Sequence, residues 1–77
     1  MSGAEIAVLG LGRSGVAATR LLRQAATPVY ASDSGQSPAL LASAAELRAL
    51  GASVELGGHD LARIARAALC VVSPGIP

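Results

Sequence analysis

Three glycines, Gly10, Gly12 and Gly15, are the residues here whose spacing most clearly suits chemistry on a ligand. In Val8-Leu9-Gly10-Leu11-Gly12-Arg13-Ser14-Gly15 they fit the pattern G-x-G-x-x-G. In that pattern the first glycine lets the chain leave a strand through a tight turn. The second leaves the backbone bare for a phosphate, and the third lets the following helix pack close to the strand. Amides at the helix start then point at the ligand, and the helix dipole favours its negative charge. Asp33 stands downstream at the spacing of a carboxylate that accepts hydrogen bonds from a ribose, although it equally suits the polar end of a strand. The Ser14 hydroxyl could reach a phosphate or cap the helix. Arg13 sets a cation against the helix dipole, a conflict that an anionic ligand or a solvated side chain would relieve. Gly75, after Pro74, either brings bare backbone to a ligand or serves a turn.

Other reactive residue types are sparse. His59 lies alone in Gly57-Gly58-His59-Asp60, with no second histidine or cysteine nearby, so a metal site is not expected. Cys70 sits in an apolar run and is expected to be an inert core residue. No paired carboxylates, Ser-His-Asp set or Walker A sequence is present, so covalent chemistry within these residues is not expected. A single cysteine leaves no internal disulfide and fits a reducing compartment. With a net charge of +1, no basic run and one aromatic residue, Tyr30, neither nucleic acid nor a membrane surface is an expected partner. Apolar runs fall far short of the roughly 18 residues of a membrane span, and the N-terminus lacks a signal-peptide pattern, so a cytoplasmic location is expected. The 77 residues suffice for one small domain with an aliphatic core.

The elements that must position these residues alternate. Glu5 to Leu9 reads as a first strand, nearly continuous in apolar character. A helix follows over Arg13 to Ala25, with Ala17, Ala18, Leu21, Leu22 and Ala25 inward and Thr19, Arg20, Arg23 and Gln24 outward. No glycine closes it; Ala26-Thr27-Pro28 ends it instead. Val29 to Ser32 is a second strand, which Asp33 terminates. Ser37 as N-cap and Pro38 at the first helical position open a helix to about Leu50, and Gly51 follows as its left-handed terminal residue. In that helix Leu40, Leu41, Ala44 and Leu47 point inward. Ala52 to Leu56 alternates like a strand near a sheet edge. Asp60 caps a third helix whose stripe is Leu61, Ile64, Ala65 and Ala68, with Arg63 and Arg66 outside. Ala68 to Val72, apolar throughout, reads as a central strand. This order predicts an α/β, Rossmann-like, doubly wound parallel sheet with strand order 3-2-1-4. Its switch point sets the glycine turn opposite the loop Ser73 to Pro77, with Asp33 on the same rim.

Taken together, Val8 to Gly15, Asp33, Leu47-x-x-Leu50-Gly51, Gly58-His59 and above all Val71-Val72-Ser73-Pro74-Gly75-Ile76-Pro77 resemble the N-terminal domain of the Mur ligases. The glycine turn combined with Ser-Pro-Gly-Ile-Pro is most similar to the D-glutamate-adding branch. The resemblance implies a domain that binds the uridine diphosphate part of UDP-N-acetylmuramoyl-L-alanine. Arg13 and Ser14 would lie beside the nucleotide, Asp33 and Ser34 at its uracil or ribose end, and Gly75 would approach from the facing loop. It further implies a central domain with ATP and magnesium, a C-terminal domain for D-glutamate, and a carboxylate activated as an acyl phosphate in peptidoglycan synthesis. Ending at Pro77, the chain reads as part of such a ligase, inactive alone and without a cofactor of its own. Two positions depart from the pattern: Ala26-Thr27 replaces a glycine before the second strand, and Gly35 replaces a longer polar side chain. The glycines and Asp33 taken alone also allow an NAD-binding dehydrogenase domain or a nucleotide-sensing regulatory module.

Overall fold

A computed structural model describes residues 4–73. The elements run β1 (Ile6–Leu9), α1 (Arg13–Gln24), β2 (Val29–Asp33), α2 (Pro38–Ala49), β3 (Ser53–Leu56), α3 (Leu61–Arg66) and β4 (Leu69–Val72). The four strands form one sheet in the order β3-β2-β1-β4, every pair parallel. This is the predicted α/β architecture, with strand bounds within a residue or so of those read from the sequence.

The register sorts the strand residues onto two faces, because laterally aligned residues in a sheet point the same way. Val8 aligns with Ala31 and Val71, and Ala31 with Val54. With Leu11, Val29, Leu47 and Ala52 these residues build the apolar core, joined by Val16 and Leu22 of α1 and Leu40 of α2. On the opposite face Ala7 aligns with Tyr30 and Cys70, and Tyr30 with Ser53; Leu9 aligns with Ser32, and Ser32 with Glu55. There α3 attaches through Arg63, whose guanidinium lies 4.8 Å from the centroid of the Tyr30 ring.

Local signals explain where the helices start and stop. The Ser37 hydroxyl accepts from the Leu40 amide at 3.2 Å with Pro38 at the first position, and the Asp60 carboxylate accepts from the Arg63 amide at 3.0 Å. Helix α2 ends with Gly51 at φ +96°, where the Gly51 amide reaches Arg48 O and the Ala52 amide reaches Leu47 O. Helix α1 ends in the same pair of bonds, Ala26 to Arg23 O and Thr27 to Leu22 O, but the left-handed residue is Ala26 at φ +59°. The missing glycine therefore leaves the terminating motif intact and strains an alanine instead.

Some inward and outward assignments change. Thr19, expected outside, is fully buried, and its hydroxyl donates to Gly15 O at 2.8 Å, so no polar group is left unpaired. Leu21 and Leu41, expected inside, are exposed. Helix α3 stops at Arg66, and Arg63, expected outside, packs inward. Strand β4, expected to be central, is an edge of the described sheet. Leu69, Cys70 and Val72 are accordingly exposed among the described residues, where Cys70 had been expected in the core.

Candidate functional site

The carboxyl ends of β1, β2 and β4 are stitched together by the ladder itself. The Gly10 amide donates to Ser32 O and the Ser73 amide to Leu9 O, each at 2.8 Å. Gly10 and Gly15 take the structural parts that their spacing predicts. Gly10 has φ +93°, and a Cβ there would sit 3.0 Å from Ser73 O, so the turn requires glycine. At Gly15 a Cβ would lie 1.8 Å from Gly10 O, which only a bare residue permits and which sets the closeness of α1 to the turn. Gly12 is exposed, is the N-cap of α1 with no side-chain cap, and a Cβ there meets nothing within 4 Å. The space on its Cβ side is therefore open.

Asp33 closes the β2 strand and reaches across the rim. Its Oδ2 accepts from the Leu11 amide and its Oδ1 from the Gly35 amide, both at 2.8 Å. These two bonds, the Leu11 one foremost, hold its carboxyl below the ordinary value of 3.8, against the opposing effect of burial. The carboxylate thus pins the glycine turn to the loop after β2. Sequence spacing placed Asp33 on the rim, but this bracing role carries no sequence signal, because it depends on a side chain meeting an amide 22 residues away.

Two clefts flank the glycine turn. One, about 420 Å³, is lined by Leu11, Gly12, Arg13, Val16 and Arg20 of the turn and α1, and by Ala39, Leu40 and Ser43 of α2. The other, about 310 Å³, is lined by Leu9, Gly10, Asp33, Ser34, His59 and Ser73. Gly10, Asp33 and Ser34 are therefore brought together in one cleft and Gly12 and Arg13 in the other. Ser14 is exposed in the first turn of α1. Gly75 lies outside the described residues. His59 is the rim residue that sequence reasoning set aside; the signal that could have found it is the turn Gly57-Gly58-His59 following β3, since every strand end of a parallel sheet faces the same rim.

Residues 4–77 match the Mur ligase MurD-like, N-terminal domain family. The chain belongs to that family. Among the relatives of this MurD-like domain is the UDP-N-acetylmuramoylalanine–D-glutamate ligase of Chlorobaculum parvum, 46% identical over 77 residues, covering 100% of this chain and 16% of that protein. The Myxococcus xanthus protein of the same name is 47% identical over 77 residues, covering 100% of this chain and 17% of its own length. The Frankia casuarinae ligase is 46% identical over 76 residues, covering 99% of the chain and 16% of the relative. The chain thus spans about one-sixth of the curated relatives it matches. Among the described residues no helix is long and apolar enough to cross a membrane.

Proposed function

We propose that this MurD-like chain is the UDP-binding N-terminal domain of a longer ligase. In this reading the whole protein joins D-glutamate to UDP-N-acetylmuramoyl-L-alanine in the cytoplasm, at the expense of ATP, during peptidoglycan synthesis. The observation that carries the reading is the open backbone at Gly12, held at the switch point of a 3-2-1-4 sheet by the Asp33 brace, in a chain whose relatives bear that ligase name. The diphosphate crosses the glycine turn, from the start of α1 beside Gly12, Arg13 and Ser14 to the Gly10 side where the second cleft opens, with Gly10 and Gly15 shaping the turn. The nucleoside end lies toward Asp33 and Ser34, and Gly75 approaches from the loop after β4. Asp33 keeps lone pairs for a ligand beyond the two amides it binds.

Among the described residues no group of three or more His, Cys, Asp or Glu side chains could hold a metal ion. This donor set does not fit magnesium, and no step through magnesium is assigned to these residues. ATP, magnesium and acyl-phosphate formation are assigned to further domains, and the present chain alone is expected to release no ADP above background.

A titration of the full-length protein with UDP-N-acetylmuramoyl-L-alanine and with NAD tests the reading. The UDP-sugar binds more tightly if it is right; tighter binding of NAD overturns it. The variant Gly12→Val sharpens the test. The space around Gly12 accommodates the side chain in the fold, while the branched Cβ obstructs the phosphate. Affinity for the UDP-sugar is expected to fall at least tenfold, about 1.4 kcal/mol.

A further inference from the structure

The cleft of about 310 Å³ contains a side chain that the nucleotide reading has not used. His59 is carried there by a turn docked on the backbone of Asp33. The Gly57 amide donates to Asp33 O at 2.8 Å, and Asp33 and Gly58 form an antiparallel bridge. Gly57 has φ +81°, a conformation that favours glycine. The turn delivers the imidazole to Ser32, whose Oγ lies 2.6 Å from His59 Nδ1. Ser32 is fully buried in β2, so this short bond fixes the ring from beneath while His59 itself stays exposed. Among the described residues Nε2 has no hydrogen-bond partner in the protein.

We propose that His59 is a ligand-contacting residue of this cleft, its Nε2–H donating to a diphosphate oxygen of a nucleoside diphosphate, with Ser32 as the residue that orients it. The assignment rests on the nucleotide reading above. When the Ser32 hydroxyl donates to Nδ1, the ring proton sits on Nε2; when the ring is protonated, both nitrogens donate. In each of these states Nε2 offers a proton. The other ionisable group lining the cleft is Asp33, whose oxygens face the Leu11 and Gly35 amides. Among the described residues His59 is therefore the one lining side chain that can carry positive charge to an entering anion.

The test uses the full-length protein with UDP, pyrophosphate and uridine as probes. The His59 side-chain ¹⁵N resonance, assigned by its loss in His59→Gln, is expected to move on addition of UDP and of pyrophosphate and to move less with uridine, whose place at Asp33 and Ser34 is in the same cleft. In calorimetric titration His59→Ala weakens UDP binding about tenfold, and His59→Gln, which keeps a donor, recovers most of the affinity. Wild-type protein that binds UDP with no movement of the His59 resonance overturns the assignment, as does movement of the same size with uridine. Undiminished UDP binding by a folded His59→Ala variant also overturns it while leaving the nucleotide reading in place. Wild-type protein that binds no UDP overturns both. The resonance arm needs only wild-type protein and the Gln variant, so a poorly folding Ala variant does not block it.

Discussion

The two faces of the sheet are held by different physics. On one, Val8, Val29, Ala31 and Leu47 close a dry aliphatic core under α1 and α2. On the other, α3 buries no residue fully, and Leu61 at its start is exposed. That helix is tethered by polar groups instead. Arg63 makes two bonds to the Glu5 carboxylate at 2.8 and 2.7 Å, a third to Ser53 Oγ at 3.0 Å, and stacks over Tyr30. The Tyr30 hydroxyl donates to Glu55 Oε1 at 2.5 Å and accepts from the Asp60 amide at 2.8 Å. The apolar face draws its stability from burial, which is insensitive to pH and to the exact partner. The polar face depends on geometry and charge, and it leads directly to the Ser32–His59 pair at the rim. A helix too short to bury a stripe can still be positioned, and here it is positioned by a network that ends at the cleft lined by His59.

Leu47→Ala should have the largest effect on this contrast. Leu47 is fully buried on the inner side of α2, and its truncation is expected to cost about 2–5 kcal/mol in urea unfolding, enough to threaten the domain. A loss below about 1 kcal/mol would mean the aliphatic face is not the principal source of stability.

Arg63→Met tests the other face. The Arg63–Glu5 pair is partly exposed, with side-chain accessibilities of 35% and 23%, so solvent screening discounts it. Its removal, with loss of the ring contact, should cost about 1–2 kcal/mol. Protection from hydrogen exchange is expected to fall in α3 and to persist in α1 and α2. Equal loss in all three helices would erase the distinction between the faces.

The polar face should also make stability depend on pH at both extremes. Its Arg63 hydrogen bond holds Glu5 below the ordinary 4.5, opposed by desolvation. The folded state therefore binds fewer protons than the unfolded chain, and this stability is present above about pH 4.5 and lost as pH falls through the lower folded value. Asp33, also lowered, adds to the acid limb. Burial first, and then the bond to Glu55, raises Tyr30 above 10.0. The folded state keeps that proton longer than the unfolded chain, so stability declines as pH rises past about 10. Glu5→Gln should flatten the acid limb in pH-dependent urea titrations without removing it, since Asp33 remains. An unchanged acid limb would show that the Glu5–Arg63 pair contributes nothing there.

The smallest expected effect lies within the aliphatic layer, between its two helix ends. Ala26 takes the left-handed conformation that Gly51 takes at the end of α2. Ala26→Gly relieves the strain and should raise stability by about 0.5–1 kcal/mol, read as an increase in the urea midpoint. A decrease would mean that the unfolded-state entropy of glycine outweighs the relief of strain.

Sequence alone determined what depends on neighbours in the chain. The glycine turn, the Ser37-Pro38 and Asp60 helix starts, Gly51 and the alternation of strands with helices are local signals. The parallel 3-2-1-4 sheet follows from their order and from the fixed hand of crossovers. The core positions Val8, Ala44 and Leu47 were legible through apolar character and periodicity. Tertiary structure decided what depends on pairing across the chain. Arg63 meets Glu5 across 58 residues, the Asp33 carboxylate takes the Leu11 amide across 22, and Ser32 meets His59 across 27. Thr19 could be buried only because Gly15 O stood ready to accept its proton. Cys70 lay in a strand as apolar as any buried one, yet its exposure followed from the edge position of β4. Propensity and periodicity act over a few residues, so they can place an element and choose its face. Which polar groups then satisfy one another is fixed only when the sheet register brings distant residues within hydrogen-bond reach.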